Sequence, residues 1–352
     1  MKILIATDAW HPQVNGVVRT LGQMAREAPA LGAEIVFLTP DDFRTVPMPS
    51  YSEIRLSLVS PGMVERRLDA LRPDAIHIAT EGPLGHAVRR MCLRRGVPFT
   101  TSFHTRFPDY IAERMPLAGR WSSDLTWAWL RRFHAPATAV MAATPTLAHE
   151  LTQRRFRNVK LWTRGVDAGL FRPRDGASLD LPRPVFLTVG RVAVEKNIEA
   201  FLALDLPGTK VVVGDGPARA ALARRFPDAV LLGARHGEVL AEAYAAADVF
   251  VFPSLTDTFG LVLLEALASG VPIAAYPADA PRDVIGVAPV GVLDADLKRA
   301  CLGALDCSRE AARAFALTMT WADSARLFLQ HVREGNTPQR KKRARRLRAR
   351  AA

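Results

Sequence analysis

Two carboxylates stand eight residues apart in the block Phe252-Pro-Ser-Leu-Thr-Asp257-Thr-Phe259-Gly260-Leu261-Val262-Leu-Leu-Glu265-Ala-Leu-Ala-Ser-Gly270-Val-Pro272. That offset is about two helical turns, so both share one side if a helix begins at Asp257. With Asp257 in a loop instead, Glu265 lies on the helix and the loop N–H groups around Phe259 and Gly260 face a cleft. Carboxylates so placed accept hydrogen bonds from sugar and ribose hydroxyls. Glu265 interrupts an apolar helix, so burying that helix demands a polar partner for it. If Glu265 faces solvent, the block is a structural helix capped by Asp257.

A cation pair lies upstream in Val189-Gly190-Arg191-Val-Ala-Val-Glu195-Lys196-Asn197. Arg binds a diphosphate through its forked guanidinium and Lys binds it as a point charge. The alternative is two surface cations at a helix start. The helix dipole disfavours positive charge there, and a bound anion explains the pair better. Asn15-Gly16 precedes another helical pattern. A glycine there admits a ligand close to the backbone, and a helix N-terminus offers N–H groups to an anion. A plain turn fits the same residues. Gly214-Asp215-Gly216-Pro217 reads as a tight turn entering a helix.

The elements that must carry these residues follow an α/β rhythm. Short apolar runs at Lys2–Thr7, Ile35–Thr39, Ala75–Ala79, Phe99–Phe103, Val140–Thr144 and Lys160–Thr163 read as strands. Helical patterns at Val17–Ala28, Gly85–Arg95 and Pro145–Arg155 lie among them. Continuous rather than alternating apolar strands suggest a parallel sheet covered on both faces. The rhythm breaks in the Pro- and Gly-punctuated residues 166–184, a linker. It restarts with strands at Val185–Val189, Lys210–Gly214, Ala229–Leu232, Val249–Phe252 and Pro272–Ala275. Helices are expected at Glu195–Leu204, Pro217–Phe226, Gly237–Ala246, Gly260–Ser269 and Leu297–Leu305. The expected organisation is two α/β domains, 1–165 and 185–319, facing each other across a cleft. An amphipathic helix over 320–335 and a basic tail, 336–352, end the chain. The tail cannot bury an apolar face and is expected to be disordered until bound.

The chain has 352 residues, 49% hydrophobic and 23% charged, which excludes a wholly disordered protein. No run reaches the roughly 18 apolar residues that cross a bilayer. The apolar start is too short for a signal-peptide core. Cys92, Cys301 and Cys307 have no metal-like spacing and read as reduced thiols of a cytosolic protein. The net charge of +12 divides into +8 over residues 1–165, −4 over 166–335 and +8 over 336–352. A uniformly basic nucleic-acid-binding protein would not divide in this way. Arginine pairs at Arg66-Arg67, Arg89-Arg90, Arg94-Arg95 and Arg131-Arg132, with Trp121, Trp127 and Trp129, suit an anionic membrane surface. Solvated charge and core tryptophan are the plainer reading of each residue alone.

Taken together, these motifs resemble the retaining glycosyltransferases of family 4, with their GT-B fold of two facing Rossmann-like domains. Arg164-Gly165-Val166-Asp167 adds to the likeness, which spans nearly all of residues 1–335. Val14-Asn-Gly-Val-Val-Arg-Thr20 and Ser102-Phe-His104-Thr-Arg-Phe-Pro-Asp109-Tyr110 are closest to the mannosyl- and glycolipid-forming branch. The resemblance implies acceptor binding by the first domain and nucleotide-sugar binding by the second. Arg191 and Lys196 would hold the diphosphate and Glu265 the ribose. Asp257 and the backbone of Phe259, Gly260, Leu261 and Val262 would hold the donor sugar. Gly16 would let the first domain close on the phosphates. His104 matches the family's active-site histidine, although a satisfied histidine at a strand end has the same signature. Asp109 and Tyr110 are acceptor-side candidates. Asp257 stands where the family's Glu-x7-Glu motif has its first glutamate, one methylene shorter.

The expected activity is transfer of a hexose, mannose or glucose, from a GDP- or UDP-sugar to a lipid or glycoconjugate acceptor. The enzyme would work in the cytoplasm at the inner face of the cell membrane, without a cofactor or an essential metal. Two alternatives remain. One is a sugar-nucleotide epimerase on the same fold, since fold does not fix function. The other is a polyanion- or nucleic-acid-binding protein acting through its tail.

Overall fold

In the computed structural model the described residues are 1–11, 15–48, 51–104 and 119–336. Strands β1 (Lys2–Ala6), β2 (Glu34–Leu38), β3 (Thr45–Met48), β4 (Tyr51–Ser57), β5 (Ala75–Ile78), β6 (Thr100–Phe103), β7 (Val140–Ala142) and β8 (Val159–Leu161) belong to the first half. Six of them form one sheet in the order β2-β1-β5-β6-β7-β8, with every pairing parallel. β1, β5, β6 and β7 are buried along their whole length apart from Lys2, because helices cover both faces of the sheet. The antiparallel pair β3–β4 stands apart from it. Its residues Thr-Val-Pro-Met and the following Pro49 do not read as a strand, since proline is confined to edges and bulges.

The second half repeats the plan with β9 (Val185–Val189), β10 (Thr209–Val213), β11 (Val230–Gly233), β12 (Val249–Phe252), β13 (Ile273–Ala275) and β14 (Gly291–Leu293). Their order is β11-β10-β9-β12-β13-β14, again all parallel. In each sheet the order reverses beside the first strand of the half, β1 or β9. Ligands of open α/β sheets bind at such switch points, beyond the carboxyl ends of the strands. The loops there are the one that leads to Asn15-Gly16 and the one that carries Arg191 and Lys196.

One expected helix is split. Instead of Glu195–Leu204 there is a 3-10 turn at Val194–Lys196 and a short helix at Ile198–Leu202. Asn197, at φ +52°, separates them in the left-handed region, and its side chain donates to Pro253 O at 3.1 Å. Lys196 therefore projects from a turn and not from the first turn of a long helix.

The chain crosses between the halves twice, and the crossings run side by side. Val166 N donates to Met319 O at 3.1 Å. A Cβ on Gly165 would fall 2.3 Å from the Thr320 carbonyl carbon, so only glycine permits this approach. The returning helix Trp321–Asn336 lays Trp321, Ala325, Phe328, Leu329 and Val332 against Ile3, Ile5, Leu21, Met24 and Trp162 of the first half. Each large side chain buried there contributes about 2 kcal/mol relative to exposure. Trp162 Nε1 also donates to Ser324 Oγ at 3.1 Å.

Candidate active site

The second half supplies two loops packed back to back. Gly190 N donates to Val213 O at 3.0 Å and Val192 N to Asp215 O at 2.9 Å. Gly214, at φ +148°, has no room for a side chain, because a Cβ would lie 1.8 Å from Gly190 O. The Gly-Asp-Gly-Pro turn is thus the plate against which the Arg191 loop is set. Arg191 is half-buried at the end of β9. Lys196 Nζ donates to Asp257 Oδ1 at 2.5 Å. The other oxygen, Asp257 Oδ2, is shielded from solvent and accepts no hydrogen bond.

Asp257 lies in the loop after β12, and Gly260, at φ +78°, starts the helix Leu261–Ala268. Phe259 is buried, while Leu261 and Val262 are partly buried. The Glu265 side chain is 4% exposed. The Tyr244 hydroxyl donates to its Oε2 at 2.9 Å. Arg19 of the first half forms an ion pair with its Oε1. Burial, and then the Glu265 charge, hold the Tyr244 hydroxyl well above the usual phenol range.

The first half meets this loop at several points. Asn15 Oδ1 accepts from Val17 N and Val18 N, both at 3.0 Å, and caps the helix Gly16–Glu27. This cap takes two of the N–H groups that an unassisted helix end would offer an anion. Gly16 faces Leu261, whose Cδ1 would be 3.8 Å from a Cβ there. Leu261 packs into the apolar clusters of both halves. His104, at the end of β6, accepts from Thr258 Oγ1 on its main-chain oxygen at 2.9 Å. Below the cleft, Asp283 accepts from Thr146 N at 2.9 Å and Thr146 Oγ1 at 2.7 Å.

The His104 ring rests in a polar seam inside the first half. Its Nε2 is 2.7 Å from Ser102 Oγ, and Ser102 Oγ is 3.1 Å from His77 Nε2. Its Nδ1 is 3.4 Å from Arg164 Nη2. Burial foremost, then the charge of Arg164, hold the His104 imidazole well below its ordinary range. Burial also lowers the Arg164 guanidinium to about 9.

Comparison with known proteins places this geometry. Residues 14–170 match the family described as Glycosyltransferase Family 4, and residues 183–306 match Glycosyl transferases group 1. The GDP-mannose-dependent alpha-mannosyltransferase of Mycobacterium tuberculosis (strain CDC 1551 / Oshkosh) is 33% identical over 320 residues, covering 83% of each chain.

The chain belongs to glycosyltransferase family 4. This glycosyltransferase is also 24% identical to the alpha-monoglucosyldiacylglycerol synthase of Acholeplasma laidlawii, over 78% of this chain and 79% of that one. Among solved structures it is similar to sucrose-phosphate synthase from Thermosynechococcus elongatus, with a TM-score of 0.76 at 21% identity. That match covers 95% of this chain and 98% of the other, and the shared architecture is the GT-B fold.

The glycosyltransferase brings Gly16, Lys196, Asp257, Phe259, Gly260, Leu261, Val262 and Glu265 together where its halves meet, with His104 reached through Thr258. Asp109, Tyr110 and residues 337–352 lie outside the described residues. Trp127 is 5% exposed and stacks on Phe103 at 5.8 Å, so it is core and offers nothing to a surface. Arg89 is occupied by the main-chain oxygens of Phe133 and Arg132, at 2.8 Å each. Arg94 and Arg95 pair with Glu65 and Asp69.

Sequence reading gave no role to Arg19, Tyr244, Thr258 or Ser102, although all but Tyr244 lie within its motifs. The buried Glu265 announced that it needed partners. Which side chains answer depends on packing between helices distant in sequence, for which local spacing carries no signal.

Proposed function

We propose that this glycosyltransferase transfers mannose or glucose, with retention, from a nucleotide-diphospho-sugar to a lipid or glycoconjugate acceptor at a membrane surface. The observation that carries the reading is the convergence of Lys196, Asp257 and Glu265 on the face that Gly16 and Arg19 approach. Arg191 and Lys196 neutralise the diphosphate as it leaves. Asp257 Oδ2, shielded and without a partner, is ready to accept from a donor-sugar hydroxyl. Glu265 accepts from the ribose once Arg19 or Tyr244 yields an oxygen.

The acceptor hydroxyl attacks on the face from which the diphosphate departs, and a leaving-group oxygen takes its proton. Most of the rate then comes from charge stabilisation and positioning. Domain closure excludes water. With both cations on the diphosphate the reaction needs no metal, so turnover in EDTA should equal turnover without it.

The acceptor assignment draws on the diacylglycerol in the name of the Acholeplasma laidlawii relative and on one surface. Leu125 and Trp129, 72% and 42% exposed, lie one turn apart on the helix Gly119–His134, next to the exposed Arg131 and Arg132. An apolar pair beside cations suits the interface of an anionic bilayer. No helix among the described residues is long and apolar enough to cross a membrane.

The donor is tested by thermal shift with GDP-mannose, UDP-glucose and UDP-galactose, since a ligand of the folded state raises apparent stability. One of them should raise the midpoint and support formation of a new glycosidic bond. Isomerised free donor without glycoside would establish the epimerase reading instead. Anionic vesicles should retain the full chain and release one that ends at residue 336. Equal retention would remove the tail from the membrane role.

A further inference from the structure

The polar seam under His104 has a direction that the geometry determines. A guanidinium offers donors and no acceptor. Arg164 Nη2 faces His104 Nδ1 at 3.4 Å, so Nδ1 must carry the lone pair and the ring proton must sit on Nε2. That Nε2–H donates to Ser102 Oγ at 2.7 Å. Ser102 then has its own proton to place, and His77 Nε2 takes it at 3.1 Å. His77 must in turn hold its ring proton on Nδ1 and donate to Thr100 Oγ1 at 2.9 Å.

Arg164 is itself held in place. Its Nη1 donates to Trp162 O at 2.5 Å, and its guanidinium lies 4.2 Å from the centre of the Trp162 ring. Among the described residues, the charged or titratable groups that act on His104 are Arg164 in the crossing segment, His77 on β5 and His134 on the helix Gly119–His134. No carboxylate is among them to favour a charged imidazole. His77 and Ser102 are fully buried, so water does not compete for these bonds.

We propose that Arg164 and Ser102 are positioning residues that hold His104 with its proton on Nε2, through the chain Arg164 to His104 to Ser102 to His77. Both ring nitrogens are engaged inside the domain, so the ring is not a proton carrier for the reaction. It is an anchor that sets the main-chain oxygen of His104 against Thr258 of the donor loop. The proposed effect on turnover rests on the transfer reaction put forward above, whereas the tautomer does not depend on it.

The test begins with the full chain carrying 15N-labelled histidine, free of donor, with His104→Gln to assign the signals. At neutral pH, His104 should show a protonated Nε2 and a bare Nδ1, and His77 the reverse. A proton on Nδ1 of His104 would overturn the proposal. Ser102→Ala should mix the His77 tautomers and lower kcat about tenfold to a hundredfold at unchanged donor KM, the cost of a misplaced group. Ser102→Thr, which keeps a hydroxyl, should restore both. Histidine signals and kcat that ignore Ser102→Ala would also overturn it. If the tautomer pattern holds and no donor is turned over, the chain stands and the transfer reading fails.

Discussion

Arg19, four residues beyond the Asn15 cap of the helix Gly16–Glu27, forms an ion pair across the cleft with Glu265 of the helix Leu261–Ala268. The carboxylate is buried, whereas the Arg19 side chain is 35% exposed. One end of the pair is therefore anchored, with Tyr244 beneath it, and the other can swing. The carboxylate proposed to bind the donor ribose also ties the two halves together.

Arg19→Ala should loosen that contact. The expected result is a larger radius of gyration for the donor-free protein by small-angle scattering, reduced again when donor binds. An unchanged radius would mean that Thr146–Asp283 and Thr258–His104 suffice to keep the halves closed.

Removing either cation proposed to hold the diphosphate, by Arg191→Ala or Lys196→Ala, should lower kcat about 10²- to 10³-fold, the scale of losing one preorganised donor to a developing charge. Lys196→Ala also strips Asp257 of its counter-charge, so donor KM should rise as well. Near-normal turnover in both variants would defeat the phosphate-clamp reading.

Gly214→Ala tests the back-to-back loops. A methyl group there collides with Gly190 O, and φ +148° disfavours any side chain. Relief requires the Arg191 loop to move. Stability should fall by about 2–4 kcal/mol in urea unfolding, and turnover should fall with it. Wild-type stability and rate would show that the two loops are not rigidly coupled.

Acid should destabilise the fold through His77, whose imidazole is lowered by burial from 6.5 to about 3. Below about pH 6.5 the unfolded chain takes up a proton that the folded chain refuses. Its contribution is therefore whole above about pH 6.5 and is lost as the pH falls towards about 3, by up to roughly 1.4 kcal/mol per pH unit. Urea midpoints at pH 7.5 and pH 5 should differ accordingly, and by less in His77→Gln. Equal slopes in the two proteins would show that other groups govern the acid limb.

Much of the architecture is local and was legible in the residues. Runs that are apolar almost throughout, such as Val185–Val189 and Val249–Phe252, match β9 and β12 end to end, because a strand covered on both faces has little use for polar side chains. The turn glycines and the Asp257–Glu265 spacing are equally local. Pro47 hid the β3–β4 hairpin, since an edge pair tolerates a residue that a central strand rejects. The left-handed Asn197, bonded to Pro253, split a helix that periodicity alone would continue.

What only the tertiary structure decided is which distant residues share an atom's surroundings. The sequence required a polar partner for Glu265, and packing chose Tyr244 and Arg19. It marked His104, and the crossing segment supplied the Arg164 donor that sets the direction of its ring. Burial makes each such bond costly to leave unmade, yet the partner lies on another element, where chain spacing carries no record of it.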